Sequence, residues 1–182
     1  MKRLNRNFVF VILYGVWVAA IVMLLGSCQA AAPVSAEQQA NFDRMVEGKA
    51  LYFEVEHVQP LSAQAAPIRS GSRYRINVTG EGYYLSLQGD SLETYLPYFG
   101  QRYNVSDYQN RSGIELNTSA DDYQVARTNK GYRMEFFGQE GYERFRMLLN
   151  VLPNGRAELS VFSPQRNVIR FSGNIREIPE RS

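Results

Sequence analysis

The sequence predicts an all-β fold, an antiparallel meander of about nine or ten strands that forms a barrel, with one short N-terminal helix. A two-sheet sandwich is the alternative. Three observations predict this fold: apolar and polar residues alternate through most of the chain beyond Gly48, short glycine-containing turns separate the alternating stretches, and no helical pattern lies between them. Such alternation is typical of half-buried strands in antiparallel sheets.

The first 27 residues have the layout of a signal peptide rather than of a folded domain. A basic start with Lys2, Arg3 and Arg6 precedes an uncharged apolar run from Phe8 to Leu25, and Gly26-Ser27-Cys28 follows. This ending resembles the lipobox of bacterial lipoproteins, in which the cysteine is lipidated and becomes the first residue of the mature chain. The alternative is an uncleaved transmembrane anchor, because the apolar run is just long enough to span a bilayer.

The lone cysteine and the charge balance limit where the protein can be located and which kinds of molecule it can bind. Cys28 is the only cysteine, so the chain has no internal disulfide, and lipidation of Cys28 predicts attachment to a membrane of the bacterial envelope. We expect the outer membrane, with the domain facing the periplasm. Without the first 27 residues, 17 basic residues stand against 18 acidic ones, which argues against a nucleic-acid partner.

The mature chain then divides into a tether at residues 28–34 and one β-rich domain at residues 35–182. Ser35 opens a capping-box pattern, and Phe42, Met45 and Val46 share one helical face. We therefore predict a short helix from Ala36 to Glu47, which Gly48 ends in the left-handed conformation.

The predicted strands follow from the alternation, and the turns between them contain glycine where φ is positive. Hairpin turns are predicted at Asn129-Lys130-Gly131 and at Pro153-Asn154-Gly155. Asp121 and Asp122 are expected to begin a turn. The strands are centred on Leu51–Val55, Tyr74–Val78, Leu85–Leu87, Leu92–Pro97, Ile114–Leu116, Tyr132–Phe136, Phe145–Val151, Leu159–Val161 and Ile169–Ile175.

The stretch TYLPYFG, from Thr94 to Gly100, concentrates aromatic residues where a strand must stop. Pro97 has no N–H to donate, so the strand ends, bulges or runs along an edge there. Leu96 and one of Tyr98 or Phe99 can face the core, and the other aromatic then faces outward. The stretch either plugs one end of the barrel or forms a ligand-facing rim, with Tyr95, Tyr98, Phe99 and Tyr103 as possible ligand or partner contacts.

Several segments also resemble one family. Asp90 to Arg102, Gly113 to Leu116, Gly155 to Val161 and Val168 to Ile175 resemble uncharacterised Bacteroidota lipoproteins catalogued as a domain of unknown function, DUF4251. The resemblance runs from about Gly48 to Ile175, and Leu96 to Gly100 is its most distinctive motif. It implies an envelope lipoprotein with one β-rich domain and no assigned activity.

Residues able to carry chemistry are sparse. His57, the only histidine, falls on the same face as Leu51, Phe53 and Val55, so we expect it inside or at the rim of the core rather than acting as a general base. We predict no metal and no cofactor, because one histidine and a lipidated cysteine do not make a zinc site. The pairs Asp121-Asp122 and Glu140/Glu143 are interpreted as solvated turns, with a Ca²⁺ site or an acid–base pair as the alternatives.

Five arginines, in contrast, lie on polar strand faces. They are expected either to pair across strands with residues such as Glu135 or to form a patch for acidic glycans or lipid headgroups. They are Arg73, Arg75, Arg133, Arg144 and Arg146.

These features favour a non-catalytic binding or assembly module of the periplasm over an enzyme. The expected partners are an envelope protein or an apolar or glycan ligand. The alternative function is a carboxylate-dependent hydrolase of envelope material.

We expect the Cys28→Ala variant to leave the membrane fraction, because it removes the only thiol that can carry lipid. Fractionation of cells that express the variant, together with the mass of the mature N-terminus of the unmodified chain, measures this. A variant that stays in the membrane would contradict lipidation and indicate the transmembrane anchor.

Overall fold

The computed structural model describes residues 36–61, 75–100, 102–103 and 113–179. The predicted signal segment, Cys28, the predicted tether, the predicted capping residue Ser35, and Arg73 and Tyr74 lie outside this part of the chain. No helix within the described ranges is long and apolar enough to cross a membrane.

One helix and ten strands make up the described part of the chain. In order they are α1 (Ala36–Glu47), β1 (Ala50–Pro60), β2 (Ile76–Asn77), β3 (Tyr84–Gln88), β4 (Ser91–Pro97), β5 (Gly113–Ser119), β6 (Asp121–Thr128), β7 (Gly131–Glu140), β8 (Glu143–Val151), β9 (Arg156–Ser163) and β10 (Arg166–Arg176).

The strands form a nearly closed antiparallel barrel, which confirms the predicted barrel rather than the sandwich. Nine strands follow the order β5-β4-β3-β1-β10-β9-β8-β7-β6, and the short β2 pairs with β1 beside this path. We call the end with the β7–β8 and β9–β10 turns the upper end. The end with the β6–β7 and β8–β9 turns, which α1 contacts, is the lower end.

The barrel approaches closure where β5 and β6 run almost continuously with a bend between them. β5 pairs with β4, whereas β6 pairs with β7. Asp122 takes a positive φ of 52° at the bend, and the Ala120 N–H donates to the Asp90 carbonyl oxygen at 2.7 Å. Gly138 of β7 lies at the seam, the place where β7 faces β4 and β5. A Cβ on Gly138 would lie 2.8 Å from the Leu92 side chain and 2.9 Å from that of Leu116. The absence of a side chain at Gly138 therefore lets these leucines close the seam.

Apolar side chains occupy the interior of the barrel. The alternating residues point inward as predicted, and the largest fully buried side chains are Phe53, Phe136, Phe145 and Phe171. Leucines, valines, isoleucines and methionines from the other strands surround them in one continuous cluster. Burial of this apolar surface is the main favourable term in folding.

A β-bulge in β1 interrupts the alternation and corrects one prediction. Val55 pairs with Gly173 and His57 pairs with the next residue, Ser172, so Glu56 is the extra residue. Val58 rather than His57 then points into the core. Gly173 is required opposite the bulge, because a Cβ there would lie 1.9 Å from the Glu54 carbonyl oxygen.

Helix α1 packs at the lower end with the predicted bounds. Val46 is buried, and the Tyr123 hydroxyl donates to the Val46 carbonyl oxygen at 3.2 Å. Burial raises the pKa of Tyr123 to about 12, so this phenol stays neutral at ordinary pH.

The residue that ends the helix in the left-handed conformation is not the predicted one. The Gly48 N–H still donates to the Arg44 carbonyl oxygen at 2.8 Å, and Lys49 instead takes a positive φ of 48°. The Lys49 Nζ lies 2.7 Å from Asp90 Oδ1, which holds the Lys49 side chain on the loop before β4. The prediction for Gly48 was therefore wrong by one residue.

Strand β6 was not predicted, and Asp121 and Asp122 begin this strand rather than a separate turn. Seven of its eight residues are exposed, and only Tyr123 is half-buried. A strand exposed on both faces has no apolar alternation, so its sequence carries no period-2 pattern.

We expect Gly173→Ala to lower the free energy of unfolding by at least ~3 kcal/mol, because its Cβ would overlap the β1 backbone and remove the bulge. Urea denaturation measures the change. Ser86→Ala, on the outer face of β3, is the control and should change stability by less than ~0.5 kcal/mol. Equal stabilities of the two variants would contradict the required close approach at Gly173.

Candidate functional site

The aromatic stretch marks the place where the chain leaves the sheet at the upper end. β4 lies between β3 and β5, and its last residue, Pro97, faces Gly113 of β5. Leu96 is buried, and beyond Pro97 the chain crosses towards the β9–β10 turn, where Arg102 pairs with Arg166. The strand thus ends at Pro97, which is one of the predicted outcomes.

Tyr98 turns inward and helps to fill the upper end. Its hydroxyl donates to the Asn167 carbonyl oxygen at 3.2 Å. The Arg166 guanidinium lies 5.3 Å from the centroid of the Tyr98 ring and 5.2 Å from that of Phe145. Burial is the main cause that raises the pKa of the Tyr98 hydroxyl. Of the two candidates for the core, Tyr98 therefore faces in and Phe99 faces out.

A buried ion pair lies beneath Tyr98. Arg166 donates from Nε and Nη2 to the two carboxylate oxygens of Glu143, each at 2.7 Å, and from Nη1 to the Gly113 carbonyl oxygen at 2.9 Å. The Ser163 hydroxyl also donates to Glu143 at 2.6 Å. The side chains of Arg166 and Glu143 are only 8% and 13% exposed, so both charges depend on each other for compensation.

Sequence reasoning did not single out Arg166. The β9–β10 register shifts between Arg166 and Ile169, so the inward phase of Ile169 and Phe171 does not extend back to Arg166. A strict period of two would place this arginine outside. A charged residue beside the Pro164-Gln165 turn gives no other sign that it is buried.

The other three predicted contact residues are exposed near the upper end. Tyr95, Phe99 and Tyr103 are 45%, 44% and 64% exposed. Tyr103 donates from its hydroxyl to the Asn167 side chain, and the rings of Tyr95 and Tyr83 lie 5.3 Å apart. Packing and hydrogen bonds thus position two of the three rings.

One member of each candidate carboxylate pair takes part in an ion pair within the described ranges. Asp122 accepts from Arg144 at 2.8 Å, and Glu143 binds Arg166. The described ranges hold no group of three or more histidine, cysteine or acidic residues that could bind a metal. These contacts give Asp122 and Glu143 structural roles.

His57 lies on the outer face, which contradicts its predicted place in or at the rim of the core. The bulge at Glu56 shifts the phase of β1, so His57 lines an outer groove instead. The groove has a volume of about 1010 Å³ and crosses β7 to β10 and the bulged part of β1. Sequence reasoning missed this groove because the pairing of several strands, and not the pattern within any one of them, brings its outward residues together.

The arginines on the outer face have two kinds of partner. Arg146 binds Glu135 at 2.7 Å, which confirms the predicted cross-strand pairing, and Arg144 binds Asp122. Arg133 and Arg75 instead donate to the neutral side chains of Asn150 and Ser172, at 3.1 Å and 2.7 Å. Both of these arginines line the groove.

A match to a protein-family model over most of the domain shows to which family the chain belongs. Residues 34–175 match the family described as "Domain of unknown function (DUF4251)". The chain belongs to the DUF4251 family. The match includes α1, so the DUF4251 domain begins before Gly48, which is the start of the resemblance noted in the sequence. No curated protein matches the chain.

We expect Arg166→Met to lower the free energy of unfolding by ~3–5 kcal/mol, because it leaves the Glu143 carboxylate buried without a counter-charge. Arg144→Met is the control, since its pair with Asp122 is exposed and should contribute less than ~1 kcal/mol. Urea denaturation at neutral pH compares the two variants. Similar losses would contradict the structural importance of the buried pair.

Proposed function

We propose that this DUF4251 protein is a lipid-anchored, non-catalytic binding module of the bacterial envelope that holds a partner protein at its upper end. Lipidation of Cys28 would attach it to the membrane, as the lipobox-like sequence suggests. The folded domain would then hold its exposed aromatic side chains in fixed positions where a partner can contact them.

The observation that carries the proposal is the distribution of large exposed apolar side chains. Most of those in the described ranges lie at or near the upper end: Leu61, Tyr95, Phe99, Tyr103 and Tyr142. Tyr142 is 99% exposed at the tip of the β7–β8 turn. Aromatic residues are enriched in protein interfaces and contribute much of their binding energy.

Hydrogen bonds and a buried ion pair hold in place Tyr103 and the β9–β10 turn that it contacts, which favours binding. The Tyr103 N–H donates to the Gln165 carbonyl oxygen at 2.9 Å, and its hydroxyl contacts Asn167. The pair of Arg166 and Glu143 fixes the same turn from inside. Side chains that are held in place before binding lose less conformational entropy on binding.

The position of α1 is consistent with this role. The chain enters the domain through α1, which packs at the lower end, opposite to the exposed aromatic residues. Helix α1 therefore leaves the upper end accessible to a partner.

Site-specific photo-crosslinking in intact cells tests the proposal. With p-benzoylphenylalanine at position 99 or 103, we expect a covalent adduct with the same envelope protein from both positions, identified by mass spectrometry. Position 125 is the control, because Val125 on β6 is 43% exposed, close to the 44% of Phe99.

Two results would contradict a docking surface at the upper end. One is the same adduct from position 125 as from positions 99 and 103. The other is no adduct from either upper position while the protein is present in the membrane fraction.

A further inference from the structure

The outer groove carries a second inference that does not depend on the upper end. Its floor is a row of outward residues on neighbouring strands, joined by the strand pairing: His57, Ser172, Glu158, Asn150 and Arg133. The β6–β7 turn and Arg75 form its sides. Its volume of about 1010 Å³ is at the upper end of the range for ligand sites, ~300–1,000 Å³.

The lining of the groove is mainly basic. Four cationic side chains line it, those of Arg75, Lys130, Arg133 and Arg156, against the carboxylates of Glu56 and Glu158. Glu158 is also compensated by Arg170 outside the lining, at 3.1 Å. The mature chain has one more acidic than basic residue, so this positive charge is local to the groove.

The partners of the groove arginines distinguish them from other arginines on the barrel. Arg133 Nε donates to Asn150 Oδ1, and Arg75 Nη2 donates to Ser172 Oγ. An amide or a hydroxyl oxygen orients a guanidinium without neutralising its charge. Among the described residues, no carboxylate lies within salt-bridge distance of the four groove cations. The arginines that do pair with carboxylates lie outside the groove: Arg144, Arg146, Arg166, Arg170 and Arg176.

We propose that the groove binds an acidic oligosaccharide. Oriented guanidinium groups with free N–H donors match carboxylate groups carried along a sugar chain. Asn150, Ser172 and Thr128 supply amide and hydroxyl groups for sugar hydroxyls, and Leu152 adds an apolar contact. The cations line a concave groove across several strands, which suits an extended chain better than a flat layer of lipid headgroups.

Titration with tetragalacturonic acid, which carries one carboxylate per sugar, tests this proposal. We expect the full chain in non-ionic detergent to bind it at least ~10-fold more tightly than neutral maltotetraose, and to bind it more weakly as salt rises. Isothermal titration calorimetry measures both affinities.

Matched double variants locate the site. Arg75→Gln with Arg133→Gln should weaken binding of tetragalacturonic acid at least ~10-fold, because two charge-assisted contacts are lost. Arg144→Gln with Arg146→Gln removes the same charge outside the groove and should change affinity less than ~2-fold. Lys130→Gln, in the exposed β6–β7 turn, gives a second groove variant in case the double variant folds poorly.

Three outcomes would overturn the proposal. They are no binding of tetragalacturonic acid at millimolar concentration, equal affinity for maltotetraose, or equal losses in the groove and control variants. Phosphatidylglycerol vesicles form a separate arm with the Cys28→Ala chain, which lacks its own lipid. If the groove variant weakens vesicle binding while tetragalacturonic acid does not bind, the groove is a membrane contact and the proposal fails.

Discussion

The domain depends on the bend at Ala120–Asp122, which lets one nearly continuous stretch of chain serve both edges of the sheet. Before the bend the chain pairs with β4, and after it with β7. The sheet then curls round until leucines from β4 and β5 meet the bare backbone of Gly138. Near-closure creates an interior that side chains fill, and it leaves only the ends and the outer face of the barrel exposed to solvent.

The parts of the fold that sequence predicted are those in which burial imposes a pattern. The inward residues of β1, β7 and β8 alternate because one face of each strand lies in the core. β6 was not predicted, because nearly all of its residues are exposed and its sequence therefore has no apolar alternation. His57 and Arg166 were misplaced or missed because local register shifts break the period of two beside them. Such shifts depend on the pairing with a neighbouring strand, β10 for His57 and β9 for Arg166, which periodicity within one strand does not reveal.

The two candidate surfaces differ in chemistry because they rest on different parts of the barrel. At the upper end the chain leaves the sheet, so aromatic side chains project from turns and from a strand terminus, above a buried ion pair. The groove is built on continuous strands, where alternation brings outward polar residues from several strands into one row. One surface suits an apolar contact with another protein, and the other suits a polar, charged ligand. They are separate enough in residues for each to be altered without changing the other.

The bulge at Glu56 shows how one residue decides which surface this barrel presents. If β1 kept its length but paired without the bulge, its alternation would continue unbroken, with His57 turned inward and Val58 outward. The groove would lose the imidazole of His57 and gain the apolar side chain of Val58. Position 173 would then no longer require a residue without a side chain. Relatives of this chain that carry a larger residue at the position of Gly173 should therefore have a regular first strand and a different set of side chains on this face. The residue type at that one position is thus a simple marker for sorting homologous barrels by the chemistry of their outer face.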